Sequence, residues 1–272
     1  MKINIVYFTS TGNTLWLSEK AKGFFEQAGH QVQLFEVVKT GDSFLKTSDM
    51  VGIFYPVWAS NLPNPLRDML NTLEDGSQKG KKMFLIGNCA MFTGDTGMYW
   101  KRILERKGFN VFYINHLVMP TNLNVPNFNF QKVPDEKKKT KILKKAEQKL
   151  KKICADILAD KNKKDGISPL GKFMGWGQRN FYEKGTEPWK NLFSVNKKRC
   201  TGCRLCYRMC PVGNIKMQAD AKPSFGSKCI LCVKCYNLCP ANAILIGEKS
   251  EDSHKYRRYK GPSKKLKPTT YR

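Results

Sequence analysis

Ile3-Asn4-Ile5-Val6-Tyr7-Phe8 runs directly into Thr9-Ser10-Thr11-Gly12-Asn13-Thr14. The first six residues read as a buried strand, and the next six as a loop opening a helix that continues to Gln27. A strand, a small polar loop and a helix start together make an anion site. The first N–H groups of the helix point outward, and the hydroxyls of Thr9, Ser10, Thr11 and Thr14 add donors. Gly12 permits close approach of the backbone, and Asn13 tolerates unusual turn geometry. The loop has no lysine, which argues against a triphosphate P-loop, and no G-x-G-x-x-G for a dinucleotide. An ordinary helix cap is the simpler alternative. Six consecutive small polar residues exceed what a cap requires, so the run is read as a phosphate loop.

Working outward, Val32, Leu34, Glu36 and Val37 suggest a second strand, and Met50 to Tyr55 a third that ends at Pro56. Lys82 to Gly87 and Val111 to Leu117 read as the fourth and fifth, with helices over Pro65–Thr72 and Thr96–Lys107. Lys137 to Leu158 is the clearest helix. Ile142, Ala146, Leu150, Ile153 and Ile157 recur at helical spacing, and the lysines fall largely on the opposite face. Strands joined by helical crossovers imply a parallel sheet. Cys154 lies on the apolar stripe and is expected in the core.

The length of 272 residues predicts two domains. At 41% apolar residues the composition excludes a disordered chain, and no apolar run reaches the span of a membrane helix. The first residues lack the pattern of an export signal, so a cytoplasmic location is expected. The net charge of +26 is uneven: +3 over residues 1–130, +12 over 131–199, +5 over 200–246 and +6 over 247–272. A positive surface suits a negatively charged partner such as an acidic redox protein. Residues 166–195 mix Gly171, Gly175, Gly177 and Gly185 with Phe173, Trp176, Phe181, Tyr182, Trp189 and Phe193. That is too aromatic for a free linker and predicts a connector packed between the domains. From Glu248 the chain turns basic and polar, which predicts a mobile tail over 248–272.

Eight of the ten cysteines fall between Cys200 and Cys239. They form two copies of C-x2-C-x2-C-x3-C-P at an offset of 29, Cys200-Cys203-Cys206-Cys210-Pro211 and Cys229-Cys232-Cys235-Cys239-Pro240. In a chain without export signals such clustering points to metal rather than disulfides. Three thiolates at this spacing ligate three irons of one cluster, while the fourth reaches the neighbouring cluster. One [4Fe–4S] cluster is therefore assigned to Cys200, Cys203, Cys206 and Cys239, and a second to Cys229, Cys232, Cys235 and Cys210. A pair of zinc sites is the alternative, but zinc modules use paired C-x2-C knuckles without the third cysteine and the fourth with its proline. Each oxidised cluster carries a charge of about −2 with its thiolates, which leaves the chain strongly positive.

The cysteine segment, residues 196–247, closely resembles bacterial-type ferredoxins with two [4Fe–4S] clusters. The phosphate loop and the strand and helix order of residues 1–165 resemble flavodoxins, although those usually have glycine where Ser10 stands. That resemblance implies an α/β fold with a five-stranded parallel sheet in the order 2-1-3-4-5, followed by a small α+β ferredoxin-like domain. It also implies FMN, its phosphate held by Thr9, Ser10, Thr11, Gly12, Asn13 and Thr14. The loops Pro56-Val57-Trp58-Ala59 and Asn88-Cys89-Ala90, with Asp95, would then hold the ring system. Trp58 is the candidate stacking partner, with Phe92, Tyr99 or Trp100 on the opposite face. Carrier flavodoxins surround the flavin with acidic side chains, and this chain offers few there.

As a whole the chain resembles flavodoxin–ferredoxin fusion proteins of anaerobic bacteria and archaea. The resemblance implies an electron-transfer protein that passes electrons between two clusters and an FMN. One alternative is a flavin-dependent reductase of a small molecule, fed by the clusters. Another is a two-cluster carrier whose first half lacks flavin and serves as a docking module. A third, a nucleic-acid-binding iron–sulfur protein, rests on the aromatic and basic residues from Lys255 to Arg272 and is disfavoured. His30, His116 and His254 lie near no nucleophile constellation and are expected to be satisfied surface or loop histidines.

Overall fold

The fold was analysed in a computed structural model that describes residues 1–40, 43–45, 48–126, 128 and 131–263. It divides into two compact units. The first comprises Met1–Thr9, Asn13–Met119 and Thr140–Tyr182; the second comprises Ser10–Gly12, Pro120–Lys139 and the chain from Glu183 onward.

The first unit is built on β1 (Lys2–Tyr7), β2 (Gln31–Glu36), β3 (Met50–Pro56), β4 (Lys82–Cys89) and β5 (Asn110–Val118). All neighbours are parallel and the order is β2-β1-β3-β4-β5, as expected from the crossovers. Ile5 sits opposite both Leu34 and Gly52, which places β1 between β2 and β3. Ile3, Ile5, Val51, Ile53, Phe84, Leu85, Ile86 and Ile114 have no exposed surface. Each such side chain contributes roughly 1.5–3 kcal/mol by leaving water. A Cβ at Gly52 would overlap the ring of Phe84, so this central position holds only glycine.

The helices cover the sheet with the faces their periodicity demands. Helix α1 (Asn13–Gln27) buries Leu15, Leu17, Ala21 and Phe25, and Phe25 meets Phe84 edge-on at 5.9 Å. The one-turn helix α2 (Val37–Thr40) starts at Val37, so the second strand ends one residue before the position predicted for it. Helices α3 (Asn64–Asn71) and α4 (Thr96–Arg106) match their predicted spans to within a residue or two. Helix α5 (Glu136–Leu158) buries Ala146, Leu150, Ile153, Cys154 and Ile157, and leaves most of its lysines in water.

Three expectations change. Residues Pro169–Lys190 form a helix, α6, whose Leu170, Phe173, Trp176 and Phe181 are exposed. In its first part the glycine face makes the contact, since a Cβ at Gly175 would overlap the carboxylate of Asp95, while near its end Trp189 meets Phe128 edge-on at 5.6 Å. The predicted mobile tail is packed as far as Ser263, with Tyr256, Arg258 and Tyr259 buried. Residues 264–272 of that prediction lie outside the described residues. His116 is neither at the surface nor in a loop. It is buried in β5, between the Tyr55 hydroxyl at 3.2 Å and the Asp165 carboxylate at 3.1 Å.

The second unit has two small antiparallel ladders. One pairs β6 (Phe193–Val195) with β9 (Ile244–Ile246), and the other pairs β7 (Ile215–Met217) with β8 (Pro223–Phe225). Two short helices, α7 (Leu205–Met209) and α8 (Lys234–Leu238), each carry the third cysteine of a run and end just before the fourth. Val125, Phe193, Val233, Tyr236, Ala243, Ile244 and Ile246 make one core. Among the described residues no helix is long and apolar enough to cross a membrane.

Candidate iron–sulfur and flavin sites

The repeat at offset 29 recurs in the backbone. Gly202 and Leu231 have φ of 68° and 54°, Arg204 and Val233 have 60° and 50°, and Gly213 and Asn242 have 60° and 48°. A β-branched residue such as Val233 in the left-handed region costs about 1–3 kcal/mol, which surrounding structure must offset. Alternating right- and left-handed residues turn successive N–H groups into one concavity that favours an anion. The fourth cysteines behave alike. The N–H of Asn214 donates to Cys210 Sγ at 3.2 Å, and that of Ala243 to Cys239 Sγ at 3.3 Å.

Two small cavities lie in this unit. Cys200, Cys203, Cys206 and Cys239 line the first, with Met217, Pro240 and Ile244. Cys210, Cys229, Cys232 and Cys235 line the second, with Pro211, Ile215 and Phe225. Each cavity takes three cysteines from one run and the fourth from the other. Among the described residues no three His, Cys, Asp or Glu side chains gather about a single-ion point; the thiols ring a space instead. Burial, helped by the neighbouring thiols, pushes the Cys232 thiol up to about 12 and the Cys206 thiol to about 11. Four sulfurs crowded around one space, some of them buried, carry negative charge most readily when a cation core shares it. Each donor set fits a cubane cluster in both number and type.

The flavin candidates were followed in each unit separately. In the first, Asn88 is buried at the end of β4 and donates to Thr14 Oγ1 at 2.9 Å and to the carbonyl of Tyr55 at 3.0 Å. Thr9, Asn13 and Thr14 are buried, and α1 has no acidic residue in its first turn to compete with an anion. Ser10, Thr11 and Gly12 belong to the second unit, where Asn122 Nδ2 donates to Thr11 Oγ1 at 3.0 Å. Asn122 also accepts, through its carbonyl, a 2.9 Å bond from Asn237 of α8. The Ser10 hydroxyl is buried without a partner. An orphaned donor in a run of hydroxyls and amides fits a phosphate oxygen, because leaving it unmatched is costly.

The loops expected to hold a ring system are less open than the sequence suggests. Pro56, Val57, Trp58 and Ala59 are half-buried, and Trp58 meets Phe8 edge-on at 5.4 Å rather than standing free. Ala59 and Ser60 adopt φ of 46° and 56°, and Trp58 and Asn61 exchange backbone bonds around them. Cys89 and Ala90 are half-buried, and burial pushes the Cys89 thiol up to about 11. Asp95 is engaged elsewhere. Arg179 of α6 binds its carboxylate through two bonds of 2.5 and 3.1 Å and also donates to the Ser60 carbonyl at 2.9 Å. Of the opposite-face candidates, Tyr99 lies under the Arg179 guanidinium at 4.1 Å, and buried Trp100 donates to Asn61 at 2.7 Å. Phe92 is exposed.

Sequence reading missed Arg179, Asn122, Asn237 and Arg258, since each acts through a partner distant in the chain. Gly171 and Gly175, one turn apart, were the visible sign that α6 makes a close approach.

Residues 199–244 match the family model described as "4Fe-4S dicluster domain". No curated protein matches the sequence. Among solved structures, the chain is similar to a flavodoxin of Streptococcus pneumonia TIGR4 at 14% identity, with 58% of this chain and 99% of that one covered and a TM-score of 0.43. A Fusobacterium nucleatum flavodoxin bound to flavin mononucleotide gives 18% identity, 59% and 99% coverage and a TM-score of 0.42. Rubredoxin oxygen:oxidoreductase from Desulfovibrio gigas gives 14%, 58% and 35%, and 0.44. The fold reading rests on the strand order itself. The chain joins a flavodoxin-like α/β unit to a region matching the 4Fe-4S dicluster model. The dicluster match supports a role in electron transfer.

Proposed function

We propose that this protein carries electrons between two [4Fe–4S] clusters and an FMN. Cys200, Cys203, Cys206 and Cys239 hold one cluster; Cys210, Cys229, Cys232 and Cys235 hold the other. The observation that carries the reading is the exchange of fourth cysteines between the two cavities, the ligand pattern of this motif in two-cluster proteins. The clusters supply one-electron chemistry, and a flavin both one- and two-electron steps. Thr9 to Thr14 would hold the FMN phosphate, with Ser10 donating its unmatched hydroxyl, and Thr14 fixed by Asn88. The half-buried loops at Pro56–Ala59 and Asn88–Ala90 would exclude water from the ring. Asp95 positions α6 rather than touching the flavin.

The functional segments are residues 1–165 for the flavin, 166–195 as the connector, 196–247 for the clusters and 248–272 as the C-terminal extension. The net charge of +26 suits an acidic redox partner and electrostatic steering. Covalent linkage of the redox groups raises their effective concentration for one another. A cytoplasmic setting agrees with eight thiols kept for metal.

The test is anaerobic purification with iron, sulfide and flavin quantified per chain. About eight irons with about one FMN is the expected result. Two zincs would overturn the cluster reading, and full iron without flavin would favour a two-cluster carrier with a docking half.

A further inference from the structure

The two cysteine runs are equivalent in sequence, yet their surroundings differ. Position 234 of the second run holds lysine where the first has Leu205, and Lys234 is buried in the wall of the second cavity. Tyr236 corresponds to Tyr207, but Tyr207 is exposed and Tyr236 is fully buried. What covers Tyr236 is the segment the sequence assigned to a mobile tail. The Arg258 guanidinium lies 3.2 Å from the centre of the Tyr236 ring and donates to the carbonyls of Ile244 and Ser250 at 3.0 and 3.3 Å.

Arg258 is 7% exposed, and its Nε and Nη1 are buried without partners. Its charge acts on Cys235, and burial together with the nearby Arg199 brings its pKa down to about 9, still cationic at neutral pH. Arg199 is itself paired with Glu251 at 2.5 Å. A buried cation with free donors is costly unless negative charge lies within reach. Cys235, one of the four sulfurs around the second cavity, is the group of that sign on which the Arg258 charge acts. Lys190 also acts on Cys229, but it pairs with Glu187 at 2.5 Å.

The other cavity has a weaker counterpart. Lys260 sits by Cys239, and its three protons are taken by the carbonyls of Asn237 and Cys239 and by Asn242 Oδ1, at 2.8, 2.9 and 2.7 Å. Lys260 as a whole is exposed. Its field is screened by water and matched by oxygen dipoles, whereas that of Arg258 acts through a dry interior.

We infer that Arg258 and Lys234 make the two clusters unequal, giving the cluster at Cys210, Cys229, Cys232 and Cys235 the higher reduction potential and making it the electron sink of the pair. The inference rests on the cluster reading above. Reduction adds one negative charge, and a fixed cation close by favours that state. The C-terminal segment is thus an electrostatic positioning element, since Arg258 touches Tyr236 and main-chain carbonyls.

The test is a redox titration of the full chain followed by electron paramagnetic resonance, with iron and sulfide quantified for every variant. The natural chain should show two separate one-electron midpoints. Arg258→Gln and Lys234→Leu should each lower the higher midpoint by around a tenfold change in the reduction equilibrium, about 59 mV for one electron. The lower midpoint should move less. Arg258→Lys should hold the higher midpoint near its natural value, and Lys255→Gln, an exposed change in the same segment, should move neither. Iron-loaded Arg258→Gln and Lys234→Leu chains with natural midpoints would overturn the inference and leave the cluster reading intact. A natural chain without iron would instead overturn the cluster reading.

Discussion

Replacing Arg179 by methionine tests how α6 holds the loops at the carboxyl ends of the sheet. The guanidinium makes two bonds to Asp95, one to the Ser60 carbonyl and a stacked contact with Tyr99. The side chains are 13% and 3% exposed, so this is a buried pair rather than a surface one. Removing one partner leaves the Asp95 carboxylate uncompensated, which costs about 3–5 kcal/mol in comparable sites. At 2–4 °C per kcal/mol for a unit of this size, thermal unfolding should fall by about 10 °C. Methionine keeps the stem, so the loss reports charge and hydrogen bonds. Asp95→Asn in the same chain should recover part of it, because the orphaned charge is gone. Hydrogen exchange at residues 58–61 and 93–97 should quicken in Arg179→Met alone. A loss below about 1 kcal/mol, the range of surface pairs, would refute the reasoning.

Two other outcomes follow from the same physics. Ser10→Ala removes a buried hydroxyl that has no protein partner, so thermal stability should hold or rise slightly. FMN affinity should fall about tenfold or more, as for the loss of a bond to a charged group, and titration with FMN checks both. Burial holds the Cys154 thiol protonated up to about 12, while the unfolded chain ionises near 8.5. The native state then binds more protons across that window. Stability of the first unit should decline as pH rises above about 9 and be unaffected below. Cys154→Ala should flatten the decline, as read from unfolding midpoints against pH.

The sheet was legible because burial on both faces gives parallel strands continuous apolar runs, as in Ile3–Phe8 and Met50–Tyr55. The cysteine spacing was legible because ligand geometry is local within each run. The first part of helix α6 was not, since it is buried through glycines while Phe173, Trp176 and Phe181 face water, reversing the pattern by which amphipathic helices are read. The basic segment from Lys255 misled for a related reason. Arg258 and Tyr259 look like tail residues until the partners Tyr236 and Asn237 are placed beside them. The partner of Asp95 was hidden from the sequence because Arg179 lies 84 residues away.

The exchanged ligand sets are tested most directly by paired substitutions with iron counted per chain after anaerobic reconstitution. Cys203→Ala with Cys239→Ala should damage a single cluster and leave about four irons. Cys203→Ala with Cys210→Ala should damage both and leave almost none. The reverse pattern, about four irons in the second chain and none in the first, would mean that each run binds its own cluster, and would contradict the account.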